Sequence, residues 1–287
     1  MRGHRLTKSR HQQLVDWHTV WKTTMEECTG LGREAGTLKQ WTVSEAETFL
    51  KDSDEKYVKE VLDRIKVTAN DDILDIGCGP GRLTIPFAKI AKSVTAVDTS
   101  KGMLEVLNRR AKEEKLGNIS CVNKFWREVE AGKDIKKKYD IVVASNSVNL
   151  LGAKEIRDGN KKRLDWDLVE TLQKIDEIGK HCYITKPILR HNNFSAVYAA
   201  LDKTYKPFPD YIVVHNVLRQ ISLEPEIDYF FTQCKKHNNP EKVFTRIEWL
   251  HDIKPEQKQI INEKIRCSID KNDKGLQVWA LLHWHRK

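Results

Sequence analysis

No apolar run in the chain approaches the roughly 18 residues that a bilayer-spanning helix needs. The opening stretch, Met1 to Arg10, is basic but lacks the apolar run that forms the core of a secretory signal. These absences predict a cytoplasmic protein with no membrane partner. Paired cysteines are missing too. Cys28, Cys78, Cys121, Cys182, Cys234 and Cys267 are scattered and form no C-x-x-C. They fit neither a disulfide framework nor a zinc site, and are expected as reduced, partly buried thiols. His283 and His285 alternate on one strand face without a third ligand, so no metal is expected. Internal repeats and low-complexity linkers are also absent, which points to one compact unit.

Charge of one sign is in excess without being concentrated. Lys and Arg number 50 against 41 Asp and Glu, a net +9. A basic protein invites a nucleic-acid reading. Yet the basic residues are spread, with only short runs at Lys136-Lys137-Lys138 and Lys161-Lys162-Arg163 and no aromatics among them. The 39% hydrophobic content excludes a disordered chain. A chain of 287 residues can bury a real core.

Residues 1–65 read as a helical cap. Trp17, Trp21 and Met25 form a stripe at helical spacing, and Gly30, Gly32 and Gly36 interrupt it. A second helix is expected after Thr42, with Ser44 as a plausible N-cap before Ala46, Phe49 and Leu50. A third begins near Asp52-Ser53-Asp54 and carries Tyr57, Val58, Val61, Leu62 and Ile65.

From residue 70 short apolar strands alternate with helices. Strands are expected at 72–76, 93–98, 118–122, 140–145 and 181–185, and helices at 82–92, 102–115 and 168–178. Such alternation implies parallel strands with right-handed crossovers, hence a doubly wound α/β sheet covered on both faces. Residues 188–222 look helical or mixed and read as an insertion. A strand at 226–231, a helix from Pro255 and a closing strand at 276–282 complete the expected domain, 66–287.

The informative segment is Asp75-Ile76-Gly77-Cys78-Gly79-Pro80-Gly81, which ends a strand and opens a helix. Glycines let a backbone turn sharply and approach a ligand. Asp98 follows Gly77 by 21 positions, at the end of the next strand, where a carboxylate can accept ribose hydroxyls. Two ligands suit this geometry: a dinucleotide, or a nucleoside with an amino-acid tail. A dinucleotide fingerprint places its third glycine where Arg82 stands, which weighs against a nicotinamide-dependent oxidoreductase.

The stretch from Asp72 to Met103, with the loop above and Val97-Asp98-Thr99-Ser100-Lys101-Gly102-Met103-Leu104, resembles class I S-adenosylmethionine-dependent methyltransferases. The resemblance is close from about 70 to 150. It implies a mostly parallel, Rossmann-like sheet of the seven-stranded methyltransferase type, with S-adenosylmethionine as cofactor and S-adenosylhomocysteine as product. Asp75 and the Gly77, Cys78, Gly79 and Gly81 backbone would hold the methionine portion, and Asp98 the ribose. Thr99 and Met103 would flank ribose and adenine. The family's usual small acidic residue after the third strand is replaced by Asn123-Lys124-Phe125-Trp126. Phe125 or Trp126 could stack on adenine instead, or backbone groups could do the reading, and Trp126 could equally be a core residue.

Methyl transfer from a sulfonium mainly requires alignment and exclusion of water. The expected methyl-facing positions are Ser145, Asn146, Ser147 and Asn149 after the fourth strand, and Thr185, Lys186 and Pro187 after the fifth. Asn146 is the candidate for orienting an acceptor, with a plain turn residue as its alternative. The Asn/Asp-Pro-Pro-aromatic motif and the Pro-Cys pair of base methylators are missing. Trp17, His18, Trp21 and Trp41 would form either a lid or a packed helix face. The acceptor is expected to be a small molecule or a protein. An RNA methyltransferase would require the basic runs and N-terminal arginines to converge on one face, and a non-catalytic platform would retain only the fold.

Overall fold

The computed structural model describes residues 15–28, 40–51, 54–188, 203–233, 253–268 and 276–286, with isolated positions between them. Met1 to Arg10, Gly30, Gly32, Gly36, Ser53, Cys234 and most of 189–202 lie outside the described residues.

Three helices precede the sheet: α1 (Trp17–Glu27), α2 (Val43–Lys51) and α3 (Glu55–Arg64). Asp16 caps α1 by accepting from His18 and Thr19 N–H, and Asp54 caps α3 through Lys56 N–H. The α2 cap differs from expectation. Thr42 Oγ1 accepts from Glu45 N–H at 3.2 Å while Glu45 Oε2 accepts from Thr42 N–H at 2.8 Å. This reciprocal pair satisfies two end donors at once, so Thr42 serves and Ser44 lies inside the helix.

The sheet follows as β1 (Asp72–Ile76), α4 (Thr84–Ala88), β2 (Ser93–Asp98), α5 (Lys101–Glu113), β3 (Ile119–Asn123) and β4 (Tyr139–Ser145). Then come a one-turn α6 (Val148–Leu151), a hairpin of β5 (Ala153–Asp158) and β6 (Lys161–Trp166), α7 (Leu168–Ile178) and β7 (Gly179–Pro187). The chain continues through α8 (Tyr211–Gln220), β8 (Glu226–Gln233), α9 (Pro255–Ser268) and β9 (Leu276–His285). Seven strands form one sheet in the order β3-β2-β1-β4-β7-β9-β8. Strands β3, β2, β1, β4 and β7 pair in parallel, and β9 runs against both its neighbours. The expected doubly wound architecture is present, and the order reverses between β1 and β4. A crevice opens at that switch point beyond the carboxyl ends of the strands.

Side chains alternate along β1, so each face has its own core. Leu74 and Ile76 join Val142, Ala144 and Ile184 beneath α1, α7 and α8, with Trp21 and Met25 inside this layer. Ile73 joins Ile141, Val143 and Leu281 beneath Tyr57 and Val61 of α3 and Phe87 of α4. The β5–β6 hairpin was not anticipated. It turns at Gly159, and Arg127 anchors its base by donating to Asp165 Oδ2 at 2.8 Å and to Glu170 Oε2 at 2.8 Å. No described helix is long and apolar enough to cross a membrane.

Core packing predicts a clear contrast. Leu172 is 0% exposed and Leu150 is 39% exposed. Leu172→Ala should lower unfolding free energy by about 2–5 kcal/mol, from lost transfer energy plus a cavity. Leu150→Ala should stay within about 0.5 kcal/mol. Urea unfolding of both variants measures the difference.

Candidate active site

The loop after β1 is held from three sides. Gly77 and Cys78 N–H both donate to Val97 O of β2, at 2.7 and 3.1 Å. Arg110 of α5 donates to Pro80 O at 2.7 Å and Gly81 O at 3.0 Å. Ser147, just after β4, donates from Oγ to Ile76 O at 2.6 Å. Gly77 has φ +70°, and a Cβ there would lie 2.3 Å from Ser147 Cβ. Only glycine fits both the left-handed backbone and that approach.

Asp75 sits under this loop, 1% exposed. Its Oδ2 accepts from Thr84 Oγ1 at 2.6 Å, while Oδ1 is buried with no partner. Burial pushes its carboxyl up to about 6. The Thr84 hydroxyl and the Arg82 charge pull the other way, and Asp98 adds to the rise. An unsatisfied buried acceptor costs about 1–3 kcal/mol, so this oxygen calls for a donor. The ammonium of a methionine moiety is such a donor, and the residues present therefore fit the cofactor that the sequence implied.

Asp98 ends β2. Its Oδ2 accepts from Gly79 N–H at 2.9 Å and its Oδ1 from Ser100 N–H at 2.8 Å. Burial raises its carboxyl while these backbone donors lower it. Each oxygen keeps a lone pair for a hydroxyl. Asn123, which the sequence reading left without a role of its own, donates from Nδ2 to Asp98 O at 3.0 Å and Thr99 O at 2.8 Å. Its signal was its position, since β3 pairs it with Asp98. Met103 is buried in the first turn of α5, and α2 packs across it through Ala46 and Phe49. Ser100 Oγ donates to Trp41 O at 3.1 Å, and a Cβ on Gly102 would lie 2.3 Å from that oxygen. Glycine at 102 is what lets the segment before α2 seat on α5.

Of its two readings, Trp126 takes the core one. It is 2% exposed, its Nε1 donates to Thr171 O at 3.4 Å, and Lys174 lies 4.5 Å above its ring. The ring is embedded in the core beneath α7, so it has no face for adenine. Phe125 is half-buried and packs on the same core.

Of the positions expected to face the methyl group, Ser145 and Thr185 come together on a residue of α3 that sequence reasoning missed. Tyr57 OH lies 2.7 Å from Ser145 Oγ and 2.6 Å from Thr185 Oγ1. Tyr57 had read only as part of an apolar stripe. Arg82, at the sequence position of a third glycine, has its Cζ 4.0 Å from the Tyr57 ring centroid, a cation–π contact. Asn146 has φ +55°, and its N–H donates to Thr185 O at 3.0 Å and Oγ1 at 3.1 Å, leaving its side chain exposed. On the other side of β7, Lys186 is buried and donates to Asn149 Oδ1 and Pro209 O. Among the lid residues, Trp21 is core, in edge contact with Trp166 at 6.1 Å. Elsewhere His283 stacks on Tyr183, and among the described residues no cluster of three His, Cys, Asp or Glu could hold a metal. A groove of about 570 Å³ is lined by α5 and β3, with Lys101 and Asn123 among its residues.

Residues 73–162 match the family model described as a methyltransferase domain. A Haemophilus influenzae protein of uncharacterised role is 25% identical over 80% of this chain and 81% of its own length. The ribosomal RNA small subunit methyltransferase A of Wigglesworthia glossinidia brevipalpis is 36% identical, over 27% of this chain and 28% of its own. Among solved structures, a coclaurine N-methyltransferase bound to N-methylheliamine and S-adenosylhomocysteine shares the fold. Its TM-score is 0.51 at 15% identity, over 93% of this chain and 81% of that one. Residues 73–162 thus form a methyltransferase domain, and the fold and these relatives support a class I S-adenosylmethionine-dependent methyltransferase family.

The Asp75 carboxyl also makes a pH prediction. Its folded value lies above the ordinary 3.8. The stability it contributes is therefore full below about pH 4 and lost as pH rises through about 6. Asp75→Asn should remove this loss, on the order of 2–3 kcal/mol. Chemical unfolding from pH 4 to 7.5 should show a shallower slope in the variant.

Proposed function

We propose that this chain transfers the sulfonium methyl of S-adenosylmethionine to a nucleophile on a small molecule or protein side chain, bound beyond the carboxyl ends of β4 and β7. The observation that carries the cofactor assignment is the orphaned Oδ1 of Asp75 beside the glycine loop. Asp75 would receive the cofactor ammonium, with the backbone of Gly77, Cys78, Gly79 and Gly81 around the methionine portion. Asp98 would take the ribose hydroxyls, and Thr99, Met103 and Phe125 would border ribose and adenine. Ser145 would line the methyl side. Bound there, the cofactor supplies an activated methyl group, and the chain supplies alignment and dryness. Asn146 would orient the acceptor. Its left-handed backbone is locked by two bonds to Thr185, and its side chain stands clear of the strand tip. The cap, residues 1–65, would shield the cofactor through α2, while 66–287 carries the site and an insertion near 188–222. The unbridged thiols at Cys78, Cys121, Cys182 and Cys267 favour a reducing compartment, the cytoplasm.

The RNA reading keeps the net charge of +9 in its favour. Its requirement of convergence is not supported by the two described runs. Lys136 pairs with Asp72 at the amino end of β1, at 2.7 Å, whereas Lys161–Arg163 lie on the hairpin rooted at the carboxyl end. The non-catalytic alternative predicts cofactor binding without turnover.

Thermal shift titration tests the proposal. S-adenosylmethionine and S-adenosylhomocysteine should raise the midpoint, by about 2.7 kcal/mol of stability at one hundred times Kd, and NAD should not. Asp98→Ala should abolish most of the rise, and an undiminished rise removes the ribose assignment. Asn146→Ala should slow transfer while leaving S-adenosylhomocysteine affinity intact.

A further inference from the structure

The buried charges at the carboxyl end of the sheet fall into two sets. Asp75 and Asp98 flank the glycine loop. Beyond β4 the structure buries a cation instead. Lys186 is 3% exposed near the end of β7. Alternation along the strand directs Thr185 to Tyr57 and Lys186 to the opposite face. The ammonium donates to Asn149 Oδ1 at 2.8 Å and to Pro209 O at 2.6 Å. Both are neutral oxygens, and no described carboxylate lies within ion-pair distance of it. The ionisable groups facing it are Asp210, which spends one oxygen on the Ile212 N–H at the start of α8, and the buried Cys28 thiol after α1. Burial pulls the Lys186 ammonium down to about 7, against the opposing pull of Asp210 and then Cys28.

A lysine ammonium can only donate. Its contact therefore fixes the Asn149 amide, with Oδ1 toward Lys186 and Nδ2 away from it. Asn149 is half-buried in α6, two residues beyond the Ser147 that packs on Gly77. Its Nδ2 has no acceptor among the described residues. Two N–H donors backed by a buried positive charge, at the carboxyl end of β4 and β7, form a receptor for an anionic oxygen.

Building on the methyltransferase reading above, we propose that the acceptor is a small-molecule oxyanion, a carboxylate or phenolate, held by Asn149 Nδ2 and positioned through Lys186. A lone pair of that oxygen forms the new O–CH3 bond as the C–S bond breaks. The bonding pair stays on sulfur, and the sulfonium becomes a neutral thioether. The oxygen arrives deprotonated, so no proton moves and no general base is required. Lys186 favours the ionised acceptor by placing positive charge beside it.

The test is calorimetry on the full chain, with and without S-adenosylhomocysteine, using benzoate, 2,4-dinitrophenolate, benzyl alcohol and benzylamine as probes. One or both anions should bind, the stronger marking carboxylate or phenolate, while the alcohol and amine should not. Anion affinity should fall roughly tenfold per pH unit above 7, as Lys186 loses its proton while both anions stay ionised. Lys186→Met and Asn149→Asp should each weaken anion binding roughly tenfold or more, with S-adenosylhomocysteine affinity unchanged. Asn149→Asp sets a carboxylate against Lys186 and so keeps the buried cation paired, which separates loss of the receptor from loss of folding. Failure of S-adenosylhomocysteine to bind removes the cofactor reading, and the oxyanion site then stands or falls on the titrations without it. Benzylamine binding in preference to the anions, a flat pH profile, or anion binding unchanged in both variants overturns the oxyanion receptor.

Discussion

The site depends on a clasp between two strand ends. At the switch point β1 must turn away from β4 while both chains leave the sheet within a few ångströms of each other. Ser147 Oγ reaches across to Ile76 O, and Val97 O on the other side receives both Gly77 and Cys78 N–H. Gly77 is thus gripped from β2 and from the turn after β4, with no room for a side chain. Everything functional is placed relative to that grip. Asp75 lies just below it, Asp98 to its β2 side, and α6 with Asn149 to its β4 side. The clasp is a backbone arrangement, so its geometry varies little with the side chains that decorate it. This rigidity suits chemistry that depends on alignment.

Polar groups buried at this end contribute little to stability and demand partners. Asp75 keeps one oxygen orphaned, and Tyr57, Ser145 and Thr185 form a hydroxyl cluster where apolar packing would have served the fold. Toward the amino end the same strands carry Ile73, Val94 and Ile141 in dry contact. The contrast along a single strand separates an apolar, packed end from a polar one. Left-handed backbone recurs around the crevice, at Gly77, Gly79, Gly81 and Asn146.

The parts of this arrangement legible in sequence were those set by short-range pattern. Apolar runs bounded by turn residues located β1, β2, β3, β4 and β7, because buried parallel strands need continuous apolar side chains. The glycine loop and Asp98 were legible because backbone approach and strand-end placement restrict residue type. What escaped was set by distant contacts. The β5–β6 hairpin is charged along most of its length, so alternation never emerged, and it is held by Arg127 from a separate turn. Trp126 looked available because a loop aromatic is ambiguous until α7 is seen to cover it. Tyr57 looked like core because its ring is core; only its hydroxyl reaches the strand tips. The α2 cap was misplaced by two residues because Thr42 and Ser44 are both competent, and Glu45 decides between them.

Charge explains why this loop suits a sulfonium nucleoside and not a pyrophosphate. A phosphate-binding loop gathers N–H groups at the start of a substantial helix, whose dipole adds positive potential. Here α4 has five residues, the Arg110 guanidinium is spent on the Pro80 and Gly81 carbonyls, and two buried carboxylates flank the loop. Asp75 and Asp98 are close enough that Asp98 raises the Asp75 carboxyl. The guanidinium of Arg82 is drawn onto the Tyr57 ring. A polyanion entering this pocket would add to a repulsion already present between the two acids. A ligand with an ammonium and a sulfonium would relieve it, giving the orphaned oxygen its donor and a cation to offset both charges. The pocket that costs the empty fold stability is therefore the one that gains most from a cationic cofactor.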